Sequence, residues 1–250
     1  MHLKVIACEI MAREIYQCAA RALNTTDITF FSEGLHDNSD ECRKELQGAV
    51  DAVPADPFDA LVLGYGLCNN STVGLRAGRT KMVIPRAHDC ITFFLGDKAR
   101  YAKRFAERPG TYYYTSGWLE YEKRGGKRVA YQQGSGLSER MAYDQLVEKY
   151  GEENAAFLAE SMTGWEAHYT HGALITFPFT AHLGLDERVR AICREREWDY
   201  TEIPGDLRLI QDALDGNWDA ERFLVLEPGE EVAARYDDGI LACRKCAGNE

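Results

Sequence analysis

Apolar residues follow two rhythms along this chain. In the first third, short and nearly unbroken apolar runs alternate with stretches whose apolar positions recur every three or four residues. "LKVIACEI" (3–10) is β-type, and "MAREIYQCAARAL" (11–23) carries its apolar residues at helical spacing. "ITFFSEGLH" (28–36) predicts a second strand running into a loop, where Asp37, Asn38 and Ser39 offer caps for a helix reaching about Val53. "FDALVLGYG" (58–66) and "KMVIPRA" (81–87) predict the third and fourth strands. Both are apolar almost throughout, as strands covered on both faces require.

Beyond Gly96 the rhythm is less regular. "DKARYAKRFAERPG" (97–110) predicts a helix with a Pro-Gly stop, and "TYYYTSGWLEYEKRGG" (111–126) is aromatic and strand-like. "SERMAYDQLVEKYG" (138–151) and "EENAAFLAESMTG" (152–164) predict two helices. Strand and helix then alternate again in "ALITFPFT" (173–180), "LDERVRAICRERE" (185–197), "WDYTEIPG" (198–205), "DLRLIQDALDG" (206–216) and "ERFLVLEPG" (221–229). The pattern predicts an α/β fold: a mostly parallel sheet with helices on both faces, in two α/β halves around an aromatic and helical insertion. With no low-complexity linker, the expectation is a single mixed α/β domain over residues 1–240, divisible into lobes 1–120 and 150–236, with 241–250 as a tail.

Composition narrows the function classes. A chain of 250 residues with 45% hydrophobic and 28% charged residues builds its core without staples. The net charge of −11 argues against a duplex nucleic-acid partner, which needs a basic face. The basic cluster "YEKRGGKR" (121–128) reads as a solvated loop. No stretch reaches the ~18–20 apolar residues of a membrane span. The N-terminus enters a strand directly and lacks a signal peptide's cleavage site, so a cytoplasmic protein is expected. In that reducing compartment the eight cysteines are not a disulfide framework and have to be read one at a time.

Three predicted strands end in soft ligands: Cys8 after "KVIA", Cys68 after "LVLGYGL", and His88 with Cys90 after "MVIPRA". Parallel strands bring their carboxyl ends to one rim, where open α/β sheets bind ligands. Three sulfurs and an imidazole suit zinc, and three thiolates with one open iron position suit a catalytic [4Fe-4S] cluster. These cysteines are therefore expected within one metal-sized cluster, with His88 at its edge. The competing reading for a lone buried Cys such as Cys8 is packing. Around the rim, Arg86 and Asp89 flank the histidine, Asp89 either orienting His88 or capping the next helix. His36 ends the second strand, and Glu9 follows Cys8. Arg86, Asp89 and His36 are the candidate catalytic groups. Asn69, Asn70, Ser71 and Thr72 open a loop whose amides can receive an anion, which makes them candidate cofactor-binding residues.

Other features carry less. Cys18, Cys42 and Cys193 fall within helical patterns and read as core. Cys243 and Cys246 form a lone CxxC at the end of the chain, read as a frayed, oxidisable tail. "GTYYYTSGW" (110–118) reads equally as a β-edge in the core and as the wall of a pocket. His168 and His171 read as loop or pocket residues.

"YGLCNN", "PRAHDCITFFLG", "GTYYYTSGW" and "GDLRLIQDALDGNWDAERFLVLEPG" together resemble the family of domain of unknown function 1638, over the chain to about residue 236. The resemblance implies a bacterial or archaeal protein whose gene often lies near corrinoid-dependent methyltransferase genes, and no established activity. The His-x-Cys pair also resembles, locally, zinc methyltransferases that activate a thiol. There the additional Cys comes later in the chain, whereas Cys8 and Cys68 come earlier.

Two functions follow as expectations. One is a metal-dependent enzyme acting on a small polar or acidic substrate, with zinc-thiolate methyl or thiol transfer favoured over an iron–sulfur enzyme. The other is a non-catalytic metal or corrinoid carrier, or a maturation factor that docks on a methyltransferase partner.

Overall fold

The computed structural model describes residues 1–32, 39–123, 152 and 169–245. Contacts group the chain into two compact units, Met1–Arg104 with Pro204–Glu250, and Phe105–Ile203. These units differ from sequence halves at 1–120 and 150–236, because the last part of the chain returns to the first sheet. The helices expected at 138–151 and 152–164 lie, Glu152 excepted, outside the described residues, as do His36, His168 and Cys246.

The first unit is built on β1 (His2–Cys8), β2 (Thr25–Phe31), β3 (Ala60–Gly64), β4 (Met82–Pro85) and β8 (Phe223–Leu226), in the order β2-β1-β3-β4-β8. The first four strands are parallel, with Val5 level with both Ile28 and Val62. β8 joins antiparallel, Val225 opposite Val83. Leu3, Ile6, Leu61, Leu63, Met82 and Ile84 are at most 1% exposed. Each contributes roughly 1.5–3 kcal/mol of transfer free energy, which is why the continuous apolar runs become interior strands.

The helices follow from their stripes. α1 (Ala12–Ala19) buries Ile15 and Cys18, and α2 (Ser39–Asp51) buries Cys42, Leu46 and Val50 at intervals of four. Right-handed crossovers in this strand order put α1 and α2 on opposite faces. On one face Met11, Ile15, Val5 and Val62 meet Ile210 and Leu214 of α7 (Arg208–Asp215). α3 (Cys90–Leu95) starts at Asp89, whose side chain accepts from Ile91 N, and stops at Gly96 with φ 76°.

Residues expected in the tail form structure. β9 (Glu231–Ala234) pairs antiparallel with β10 (Leu241–Arg244). The buried Glu231 carboxylate accepts from Arg76 Nε at 3.1 Å and from Arg244 Nη2, which anchors the hairpin.

The chain enters the second unit within α4 (Lys98–Glu107). That unit holds a three-stranded sheet of β5 (Thr111–Tyr114), β6 (His171–Thr176) and β7 (Asp199–Pro204). Tyr114, Leu119, Leu174, Val189 and Cys193 form its core, with α6 (Leu185–Glu195) supplying Val189 and Cys193. The aromatic stretch 111–126, strand-like in sequence, changes to helix α5 (Ser116–Lys123), because Thr115 Oγ1 accepts from Trp118 N at the helix start. Its strand part is core: Tyr114 is buried, and Tyr112 packs 5.5 Å from the Tyr169 ring and 6.1 Å from Trp198.

A thiol-lined rim at the carboxyl edge of the first sheet

In the order β2-β1-β3-β4 the crossovers leave β1 and β3 in opposite directions, so their carboxyl ends form the switch point at which open α/β sheets bind ligands. Cys8 closes β1 there, buried at 3% exposure. Beyond β3, Leu67 N donates to Ala87 O at 2.7 Å and Cys68 N to His88 O at 2.8 Å. These bonds lash the segment after β3 to the segment after β4. The approach requires Gly66, since a Cβ there would lie 2.6 Å from Ala87 O.

The chain then makes an unusual turn. Cys68, Asn69 and Asn70 have φ of 44°, 55° and 63°, three successive non-glycine residues in the left-handed region. Each such residue costs about 1–2 kcal/mol, somewhat less for Asn. The turn is held by Ser71 N donating to Cys68 O, Thr72 Oγ1 to Gly66 O at 3.0 Å, and Arg43 Nη2 to Asn70 O at 3.3 Å. Backbone strain of this kind persists where surroundings over-determine it, and it gathers at functional sites. Of the four loop residues singled out in the sequence, Asn69 and Asn70 are exposed while Ser71 and Thr72 are fully buried.

Behind the turn lies Tyr65, 1% exposed. Burial pushes its hydroxyl pKa up, and Cys8, Cys42, Cys68 and Glu9 raise it further, so all four lie within electrostatic reach of the ring's oxygen. Cys42 is the member that sequence reading assigned to the core. It is buried, but it sits in the first turn of α2, which begins at the carboxyl edge of the sheet and faces Ser71. Tyr65 carried no sequence signal beyond its place after a strand.

Cys68 has intermediate exposure, yet the protein packed around its sulfur pushes the thiol up to about 12. A backbone hydrogen bond from Gly66 opposes the shift, and Asp89 and Cys42 add to it. The thiol is therefore protonated near neutral pH when no cation is beside it.

The 86–90 segment divides its work. Arg86 Nε donates to Ala220 O and Phe223 O, and Nη1 to Gly239 O and Leu241 O. Its guanidinium braces the turn before β8 and the β9–β10 hairpin, a role different from orienting an acidic substrate. His88 is exposed and Cys90 half-buried at the first position of α3. Asp89 is the cap of α3 and accepts from Tyr101 Oη at 3.2 Å.

Burial lifts the Asp89 carboxyl above its ordinary 3.8, against the pull of Tyr101, the Ile91 and Thr92 amides and His88. The native state then holds this proton more tightly than the unfolded chain. Ionisation of Asp89 consequently removes stability as pH rises from 3.8 through the raised value. Asp89→Asn keeps a capping side chain. It is expected to melt at or above the wild-type temperature at neutral pH, with the gap shrinking towards acid. Melting curves across this range showing the variant weaker at neutral pH would contradict that assignment.

The remaining candidates sit on other elements. Cys18 is buried on α1 with its thiol pushed up to about 12 by burial and Glu14. Cys193 is buried in the second unit. Cys243 is exposed on β10. His171, also in the second unit, contacts Asp199 at 3.3 Å through Nε2 and Thr170 Oγ1 through Nδ1. Among the described residues, no three His, Cys, Asp or Glu side chains are grouped to hold a metal ion. No helix among them is long and apolar enough to cross a membrane.

The fold and rim define an α/β protein with an open, mostly parallel sheet and its candidate site at the strand-order reversal. The model of the family described as "Protein of unknown function (DUF1638)" matches residues 30–214, and the chain belongs to this family. No curated protein and no solved structure matches the chain.

Proposed function

We propose that the protein is a metal-dependent enzyme acting on a small polar or acidic substrate at the carboxyl rim of the first sheet. The observation that supports this reading is the arrangement of Cys8, Cys68 and the His88–Cys90 pair at the ends of the adjacent strands β1, β3 and β4, with the last two segments joined by hydrogen bonds. Thiols and an imidazole are donors for a soft or borderline ion such as zinc. Because the described side chains do not form a ready cage of three, the reading stands on donor chemistry, and no reaction step is routed through the ion. Zinc would supply Lewis acidity and would favour thiolate over thiol at a bound substrate. The chain's own contribution is to present Asn69 and Asn70 at the rim and to hold Asp89 as a half-buried carboxyl beside Cys68.

The test is metal analysis with an absorbance spectrum on anaerobically purified protein. Stoichiometric zinc in a colourless preparation supports the zinc reading. A brown preparation replaces it with an iron–sulfur cluster, and a pink or red one with a corrinoid carrier. Protein that contains no metal and takes up neither zinc nor iron on reconstitution would overturn the metal reading.

Cys68→Ser sharpens the result. Oxygen is a poorer partner than sulfur for a soft ion, so bound metal is expected to fall about tenfold or more while far-UV circular dichroism is unchanged. Full metal occupancy in this variant would leave Cys68 a packing residue.

A further inference from the structure

The second unit contains a cavity that the rim chemistry does not use. It has a volume of about 220 Å³ and opens where β6 ends, between the short helical turn Pro178–Leu183 and the start of α6. Leu174, Ile175, Phe177 and Leu185 supply apolar walls, and Phe177 stacks on Phe179 with ring centroids 5.3 Å apart. Asp186 and Glu202 add carboxylates.

The two carboxylates are not equivalent. Glu202 accepts from Arg190 Nη2 at 2.9 Å and from Tyr200 Oη at 3.0 Å, so its charge is already matched. Arg190 is further engaged with the Tyr200 ring, 4.0 Å from its centroid. Asp186 is half-buried and makes no ion pair among the described residues. The cavity thus offers an apolar body site with an aromatic wall and one carboxylate that has no ion-pair partner among the described residues, and no cationic side chain among those residues lines it.

We infer that this cavity binds a small organic ammonium ion, its alkyl part against Leu174, Phe177 and Leu185 and its charge at Asp186. A carboxylate beside apolar walls favours an ammonium over a neutral or anionic ligand of the same shape. A carboxylate ligand would meet Asp186 and Glu202 with like charge. The size of the cavity limits the ligand to a compact group of a few carbons. This inference concerns the second unit alone and does not depend on a metal at the rim.

Calorimetric titration of the full chain with butylammonium, butan-1-ol and butyrate tests it. Butylammonium is expected to bind at least about tenfold more tightly than butan-1-ol, and butyrate to give no heat of binding. Asp186→Asn, which preserves the shape of the side chain, is expected to weaken butylammonium by about tenfold and leave butan-1-ol unchanged. An unaltered melting temperature shows that the variant is folded. Equal binding of the three probes, no binding of butylammonium, or butylammonium binding unaffected by Asp186→Asn would each overturn the inference.

Discussion

Gly66→Ala is expected to lower stability by about 1–3 kcal/mol, the range for forcing a methyl group into filled space. For a chain of this size that is roughly 2–12 °C in melting temperature. The obstacle is the Ala87 carbonyl oxygen, 2.6 Å from the new Cβ, and backbone cannot swing aside as a flexible side-chain end can. Relief has to come from parting the two segments that Leu67 N and Cys68 N hold to Ala87 O and His88 O. Parting them frees Cys68 from its packed surroundings, so its thiol pKa should drop towards the ordinary range and its alkylation by iodoacetamide, read by peptide mass mapping, should accelerate. Gly48→Ala is the control. Gly48 lies inside α2 with nothing within 4 Å of the added Cβ. Alanine there should be neutral or stabilising by about 0.5–1 kcal/mol. A Gly66 variant as stable as wild type, with Cys68 no more reactive, would mean the lashing between the two segments does not hold the turn.

The second large effect belongs to the second unit. A Cβ on Gly172 would stand 2.3 Å from Cys193 Sγ, at the point where β6 meets α6 in the core. Gly172→Ala is expected to destabilise by about 1–3 kcal/mol or more. Here, unlike at Gly66, the obstacle is one removable atom. Cys193→Ala takes the sulfur away, so the double variant should be more stable than Gly172→Ala alone. A coupling energy of about 0.5–3 kcal/mol between the two positions is expected from thermal or denaturant melts. Strict additivity would show that the helix and strand relax around the methyl group without help.

Near the rim, local chemistry was legible and partnership was not. Capping is one of the two readings the sequence leaves open for Asp89, because an acidic residue before "CITFFL" satisfies orphan amides wherever the chain lies, and Asp89 caps α3. Arg86 beside His88 reads in the sequence as a candidate catalytic group. The carbonyls it braces come from residues 134–155 positions away, which no local pattern encodes. Cys42 had the spacing of a buried stripe and is buried. Only the passage of α2 over the carboxyl edge brings it near Tyr65 and Ser71.

The sequence by itself determined strands β1 to β4 and β8 and helices α1, α2 and α7 of the first unit, and the parallel run of the first four strands. Continuous apolar runs can be satisfied only as covered strands, and a four-residue stripe only as a one-sided helix. The polar residues Asn69 to Thr72 after "LVLGYGL" also marked the place where the chain leaves the strand for a loop. The tertiary structure alone decided that β8 closes the first sheet antiparallel beside β4, that 105–203 form a second compact unit, and that three successive residues take left-handed φ at Cys68–Asn70. The reason is one of range. Periodicity reports the balance between a residue and its neighbours within a few positions. Strand closure and charge bracing are settled by groups more than a hundred residues distant, and the strained turn by Arg43, Ala87 and His88 on other segments, whose arrival is fixed only when the core packs.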